Sequence, residues 1–280
     1  MIDGSIIPTQ HIQHPAQVIR VVQITDAHLC EQHGGTLLGM DTDHSLQAVI
    51  DLVKREQGAP DLLLLTGDLS DQGSASAYVR MDSYSRQLSN DAFWLPGNHD
   101  DRGQMSSAVA DSRCLSSEIR VANWQILMLD SQIPGEVGGE LGAGQLALLE
   151  QRLEQAAQDK LSTLICLHHH LVPIGCDWLD EQMVADAGAF FDIVDCHPGV
   201  KGVLCGHVHQ QLDEERNGVA LMASPSTCVQ FAPDSARFKA DNLSPGYRWL
   251  ELQLDGTINS GVSRVEGVHF TVDLESKGYL

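Results

Sequence analysis

The sequence predicts a layered α/β domain in which two mixed sheets pack together with helices outside. Two observations carry this. Short apolar runs alternate with amphipathic helical segments along most of the chain, and the last part turns into a β-hairpin, so strands outnumber helices toward the end. No repeat, low-complexity segment or Pro/Gly/Ser-rich linker divides the 280 residues.

Val18 to Ile24 reads as a strand. Leu46, Val49, Ile50 and Val53 fall at helical spacing, with Thr42 or Asp43 as the expected N-cap. Leu62 to Leu65 is continuously apolar, which suits a strand buried on both faces. Tyr78, Met81 and Leu88 mark a second helix, Ala92 to Leu95 a short strand, and Trp124 to Leu129 another strand. Leu146, Leu149 and Leu153 line a helix, and Thr163 to Leu167 is a strand. Met183, Ala187, Phe190 and Val194 follow helical spacing, on a segment that could also form part of a cap. Gly202 to Cys205 is a strand, and Tyr247 to Leu254, Asp255-Gly256 and Thr257 onward form the hairpin. The domain is expected to span 18–265, between an N-terminal extension (1–17) and a C-terminal tail (266–280).

Composition narrows the function. Asp and Glu number 38 against 17 Lys and Arg, a formal charge of −21. That balance argues against nucleic acid and anionic membranes, which need clustered basic residues. It leaves a phosphate substrate open, because bound cations can invert the local charge. The first 17 residues lack the basic start and apolar run of a signal peptide, and no segment is apolar enough to span a membrane. Seven cysteines without a Cys-x-x-Cys pair read as reduced, largely buried thiols of a cytoplasmic protein. Oligomeric state is not legible.

The chemistry sits immediately after the apolar strands. Asp26-Ala-His28, Gly67-Asp68, Gly97-Asn98-His99-Asp100, His168-His169-His170 and Gly206-His207-Val208-His209 each follow one. In α/β sheets the carboxyl ends of the strands converge on one crevice. Carboxylate, imidazole and amide donors without thiolate suit Mn, Fe or Zn. Seven ligands are too many for one tetrahedral ion but right for two ions sharing a carboxylate, and the His207-x-His209 pair is best split between them.

These motifs, in this order, resemble the calcineurin-like metallophosphoesterase superfamily. The words Gln23 to Leu29, Leu95 to Asp100, Leu129 to Gln132, His168 to Asp180 and Ser224 to Phe231 are similar to its bacterial class III cyclic-AMP phosphodiesterases. The resemblance spans roughly Arg20 to Gly256. It implies a four-layer αββα sandwich with a dinuclear metal site at the strand C-terminal ends. It assigns Asp26, His28 and His209 to one metal, Asn98, His168 and His207 to the other, and Asp68 to the bridge, with His169 a one-residue alternative to His168. Fe and Mn are the expected metals. His28, Asn98 and His99 are expected to meet the substrate, a small cyclic nucleotide. His99, beside ligand Asn98 but outside the ligand pattern, is the expected general acid, and Asp71 its expected support. A related hydrolase acting on other phosphodiesters or on phosphomonoesters, or a non-catalytic scaffold of the same fold, are the rival readings. Loop residues 230–246 are a candidate wall of the substrate cleft.

Overall fold

A computed structural model describes residues 9–14, 18–109 and 111–278. Two mixed sheets face each other. The five-stranded sheet runs Ile258–Arg264, Gly246–Gln253, Val18–Ile24, Leu62–Thr66, Ala92–Leu95; its last three strands are parallel. The seven-stranded sheet runs Thr9–Ile12, Glu118–Val121, Trp124–Met128, Ser162–Cys166, Val200–Cys205, Val219–Ala223, Leu212–Arg216, with four parallel strands at its centre, from Trp124–Met128 to Val219–Ala223.

The side-chain period of two builds the layers. Leu62 and Leu64 face the seven-stranded sheet, where Ile126, Leu164 and Leu204 meet them. Leu63 and Leu65 face outward beneath the helices Thr42–Glu56 and Ala75–Ser85. On the other side Leu127, Ile165 and Val203 pack under Gly142–Asp159 and Ala187–Val194. The result is the four-layer helix–sheet–sheet–helix sandwich. The inter-sheet layer also carries polar ties: fully buried Arg248 donates to Asp213 Oδ1 (2.7 Å) and to the carbonyls of Ala223 and Leu212.

Several boundaries differ from the sequence reading, for local reasons. The first helix is capped by Asp41, not by Thr42 or Asp43: Asp41 Oδ1 accepts the His44 N–H at 2.9 Å. Asp43 instead pairs with Arg80 at 3.0 Å. Asp41→Ala should therefore cost about 1 kcal/mol, read as a shift in the denaturant midpoint. The second helix ends at Ser85, leaving Leu88 buried in the following turn. Helix Ala187–Val194 buries Phe190 and Val194 in the core beneath the seven-stranded sheet, so it is a layer element and not a cap. The hairpin forms as expected, turning at Gly256 with φ +88°.

At the ends, residues 1–8, 15–17 and 279–280 lie outside the described residues. Within the expected extension, Thr9–Ile12 pair in parallel with Glu118–Val121 as an edge strand. In the expected tail, the Asp273 N–H donates to Leu38 O, and Val272 packs against a small cluster around Leu37 and Met40. All seven cysteines are unpaired, and no helix among the described residues is long and apolar enough to cross a membrane.

Candidate metal centre

The C-terminal ends of the parallel strands from both sheets point into one cleft, and every motif found in the sequence lies there. Strand Val18–Ile24 delivers Asp26 and His28, Leu62–Thr66 delivers Asp68, and Ala92–Leu95 delivers Asn98 and His99. Ser162–Cys166 delivers His168, and Val200–Cys205 delivers His207 and His209. Main-chain bonds hold the first two loops side by side: Asp26 N to Gly67 O at 3.0 Å and His28 N to Asp68 O at 2.9 Å.

Local backbone geometry is unusual. Asp26, His28, Asp68, His207 and His209 all have φ between 45° and 67°. The left-handed region costs non-glycine residues roughly 1–2 kcal/mol each, and such outliers cluster where the fold enforces a functional geometry. The glycines before the ligands answer to space. A Cβ on Gly97 would collide with the Asp68 carboxylate and the His168 ring, and one on Gly67, at φ +94°, with the His168 ring.

The donor atoms form two adjacent clusters. In the first, His209 Nε2 lies 3.3 Å from Asp26 Oδ1 and 3.3 Å from His28 Nε2. In the second, Asn98 Oδ1 lies 3.2 Å from His168 Nε2 and 3.1 Å from His207 Nδ1. Asp68 Oδ2 stands between them, 3.2 Å from His168 Nε2 and 3.7 Å from His28 Nε2. His207 and His209 thus fall in opposite clusters.

Proton placement tests whether cations fit. His209 Nδ1 is 2.7 Å from Val229 O, and His168 Nδ1 is 2.8 Å from Thr66 O. A carbonyl only accepts, so both Nδ1 atoms carry the hydrogen and both Nε2 atoms present lone pairs. His28 Nδ1 faces the Asp71 carboxylate more loosely, at 3.6 Å from its Oδ1. With these rings neutral, lone pairs of imidazole, carboxylate and amide would converge and repel, so positive charge, a proton on His168 or a cation, must stand among them. Separations of about 3.0–3.4 Å are also those left between ligand atoms held about 2.1 Å from one cation. The donor set fits two metal ions, and the carbonyl partners are the supports that orient ligating histidines.

The triple histidine is resolved by the same accounting. His169 has both nitrogens engaged, Nδ1 with Ser131 Oγ (2.8 Å) and Nε2 with Val137 O (3.0 Å). Burial and the neighbouring His168 push its pKa down to about 3. His168 stands at about 9: burial opposes protonation, but Asp68 and Asp26 outweigh it. A His169 nitrogen also lies within 4.8 Å of donor atoms of His168 and His207, but its two nitrogens are engaged, whereas His168 Nε2 meets Asn98 Oδ1 and Asp68 Oδ2.

His99 and Asp71 relate differently from the expectation. The His99 Nδ1–H is held by the main-chain oxygen of Asp71 at 2.9 Å, while the Asp71 carboxylate turns to His28. Burial opposes protonation of His99, but Asp68 and Asp71 raise its pKa. His28, Asp71 and His99 also converge as a third donor group, in which His99 Nδ1 is already engaged by Asp71 O. His28, expected to touch substrate, is fully buried with its ring edge-on to His99 and does not line the cleft; Asn98 and His99 do.

Three supports escaped the sequence reading. Buried Asp100 accepts from the backbone N–H of Gly97, Leu69 and Ser70 and from the Tyr78 hydroxyl, tying the Asp68 loop to the Asn98 loop. Ser131 holds His169, and Gln132 Nε2 donates to Gly97 O and Asp100 O. The words containing them were visible; only the fold shows what they touch.

Above the centre opens a cavity of about 330 Å³ lined by Asp68, Asn98, His99 and His207 at one end and by Val137, Trp178, Leu179, Phe231 and Phe238 at the other. Phe231 and Phe238 come from the 230–246 loop, and Lys277 and Gly278 of the C-terminal segment reach its rim. A larger polar cavity of about 410 Å³ lies away from this chemistry, around Gln10, Asp82, Arg86 and Arg113.

The chain is similar along almost its whole length to 3′,5′-cyclic adenosine monophosphate phosphodiesterase CpdA of Pseudomonas aeruginosa, 44% identical over 97% of this chain and 100% of that one. It is 43% identical to the CpdA of Escherichia coli K12, covering 93% and 95% of the two chains. Its fold is similar to a dimetal phosphatase of Danio rerio, with a TM-score of 0.62 at 15% identity, covering 89% of this chain and 99% of the other. The family model for calcineurin-like phosphoesterases matches residues 19–211, which takes in the donor residues from Asp26 to His209. This chain belongs to the calcineurin-like phosphoesterase family.

Proposed function

We propose that this protein hydrolyses 3′,5′-cyclic AMP to 5′-AMP at a dinuclear metal centre and so lowers cyclic AMP in the cytoplasm. The observation that carries the reading is the pair of buried donor clusters sharing Asp68 at the floor of a cleft. The near-full-length similarity to cyclic-AMP phosphodiesterases supports the substrate, and seven unpaired cysteines support a reducing compartment.

Asp26, His28 and His209 would hold one ion, Asn98, His168 and His207 the other, and Asp68 would bridge. When bound, such a pair would acidify a water and polarise the phosphoryl oxygens. The remaining work falls to the chain. Asn98 and His99 line the cleft and orient the phosphate. Opening the ring expels a sugar alkoxide, a poor leaving group, so a proton must be supplied. His99 has its Nδ1–H fixed by Asp71 O, which leaves Nε2 as the atom that delivers that proton. The raised pKa favours the imidazolium needed for the task.

The test is a metal-stripped protein, confirmed metal-free by elemental analysis, assayed on cyclic AMP, a nitrophenyl diester and a nitrophenyl monoester. Activity on cyclic AMP should vanish, and Mn or Fe should restore it better than Mg, which keeps its waters and disfavours imidazole. Full activity of the metal-free protein would overturn the metal centre; restored turnover of the monoester alone would overturn the substrate.

A further inference from the structure

The cleft over the metal centre has two chemically distinct ends, and only the polar one is accounted for by phosphoester hydrolysis. The other end is an aromatic corner. Trp178, on the short helix Asp177–Asp180, meets Phe231 edge-on at 5.1 Å and Phe238 at 5.3 Å, and Phe231 meets Phe238 at 5.5 Å. Phe231 is buried and lies flat on His209, at 4.0 Å and 8°, so the corner is packed directly on one histidine of the donor clusters. Trp178 and Phe238 are half-buried at the cavity surface. The Trp178 ring is fixed by its Nε1–H bond to Ser235 Oγ at 3.3 Å. Gln182 lies on the same wall.

From this we infer that Trp178, Phe231 and Phe238 form a subsite for the purine base of the substrate, with the Gln182 carboxamide reading its edge. The inference rests on the cyclic-nucleotide reading above. Once the phosphate lies at the Asp68–Asn98 end of a cavity of about 330 Å³, the rest of the nucleotide extends along the remaining wall, where Trp178, Phe231 and Phe238 stand among Val137, Leu179 and Lys277. A purine is flat and aromatic, and stacking on such a side chain contributes about 1–3 kcal/mol per base. A carboxamide can pair with the N6 and N7 edge of adenine, where guanine carries O6 in place of the amino group.

The experiment compares cyclic AMP with the 1-O-methyl ribose 3′,5′-cyclic phosphate, the same ring without a base, using metal-loaded wild type, Trp178→Leu, Phe238→Leu and Gln182→Leu. In the first two variants the ratio of kcat/KM for cyclic AMP over the base-free substrate should fall roughly 5- to 150-fold, through KM and not kcat. In Gln182→Leu the preference for cyclic AMP over cyclic GMP should shrink. Proportional losses on both cyclic substrates would mean a purely structural role and overturn the subsite, as would an unchanged ratio. Should wild type turn over nitrophenyl diesters but not cyclic AMP, the substrate reading fails by itself. The subsite is then decided by inhibition of that turnover: 5′-AMP should bind at least tenfold tighter than ribose 5-phosphate, with the gap closed by Trp178→Leu. Equal inhibition by the two would overturn it.

Discussion

Asp68→Ala is expected to lose both metal ions together with activity. One carboxylate stands between the two clusters, its Oδ2 3.2 Å from His168 Nε2 and 3.7 Å from His28 Nε2, and the backbone N–H of His99 donates to its Oδ1 at 2.9 Å. Removing it deletes the anion that both cations would share and also frees the His99 loop. Turnover should fall by at least the roughly 10²–10³-fold that follows loss of one strong electrostatic stabiliser. Elemental analysis should find well under two metals per chain. Two fully occupied metals in this variant would show that Asp68 is not the bridge. By contrast, Asp26→Ala or His209→Ala should weaken chiefly one ion, and Asn98→Ala or His207→Ala chiefly the other, because their donor atoms belong to separate clusters.

His99→Ala should keep both metals and still lose about 10²–10⁴-fold on cyclic AMP, the range of a general acid. The ring stands beside the clusters, with Nδ1 committed to Asp71 O, so no bridging or terminal donor is removed. On a diester with a nitrophenolate leaving group, which departs without a proton, the loss should be much smaller. Equal losses on the two substrates at unchanged metal content would reduce His99 to a phosphate clamp. Asp71→Ala separates two influences in this neighbourhood. Its main-chain oxygen, which holds His99, survives the substitution, whereas the carboxylate facing His28 does not. A larger effect on metal content than on leaving-group sensitivity is the expected pattern.

By itself the sequence determined the layered architecture and the candidate ligand set. Leu62 to Leu65 could be read as a two-sided strand because each face of the inner sheets meets apolar neighbours, and that leaves an uninterrupted apolar run. The ligands could be read because each follows such a run, and the parallel strands within each sheet end on the same side. What tertiary structure alone decided depends on contacts between distant segments. His168 is separated from His169 by the carbonyl each can reach, Thr66 for one and Val137 for the other. Asp71 acts on His99 through its backbone, which no side-chain motif encodes. Asp41 wins the cap over its neighbours because Arg80, 37 residues beyond Asp43, has claimed that carboxylate. The aromatic corner joins Trp178 to Phe231 and Phe238 across more than 50 residues of chain, at a distance where hydrophobic periodicity carries no information. Local pattern fixes which residues leave a strand and on which side. Only packing fixes which of them meet, because a hydrogen bond or a stacked ring is settled within a few ångströms by atoms that the chain brings together from far apart.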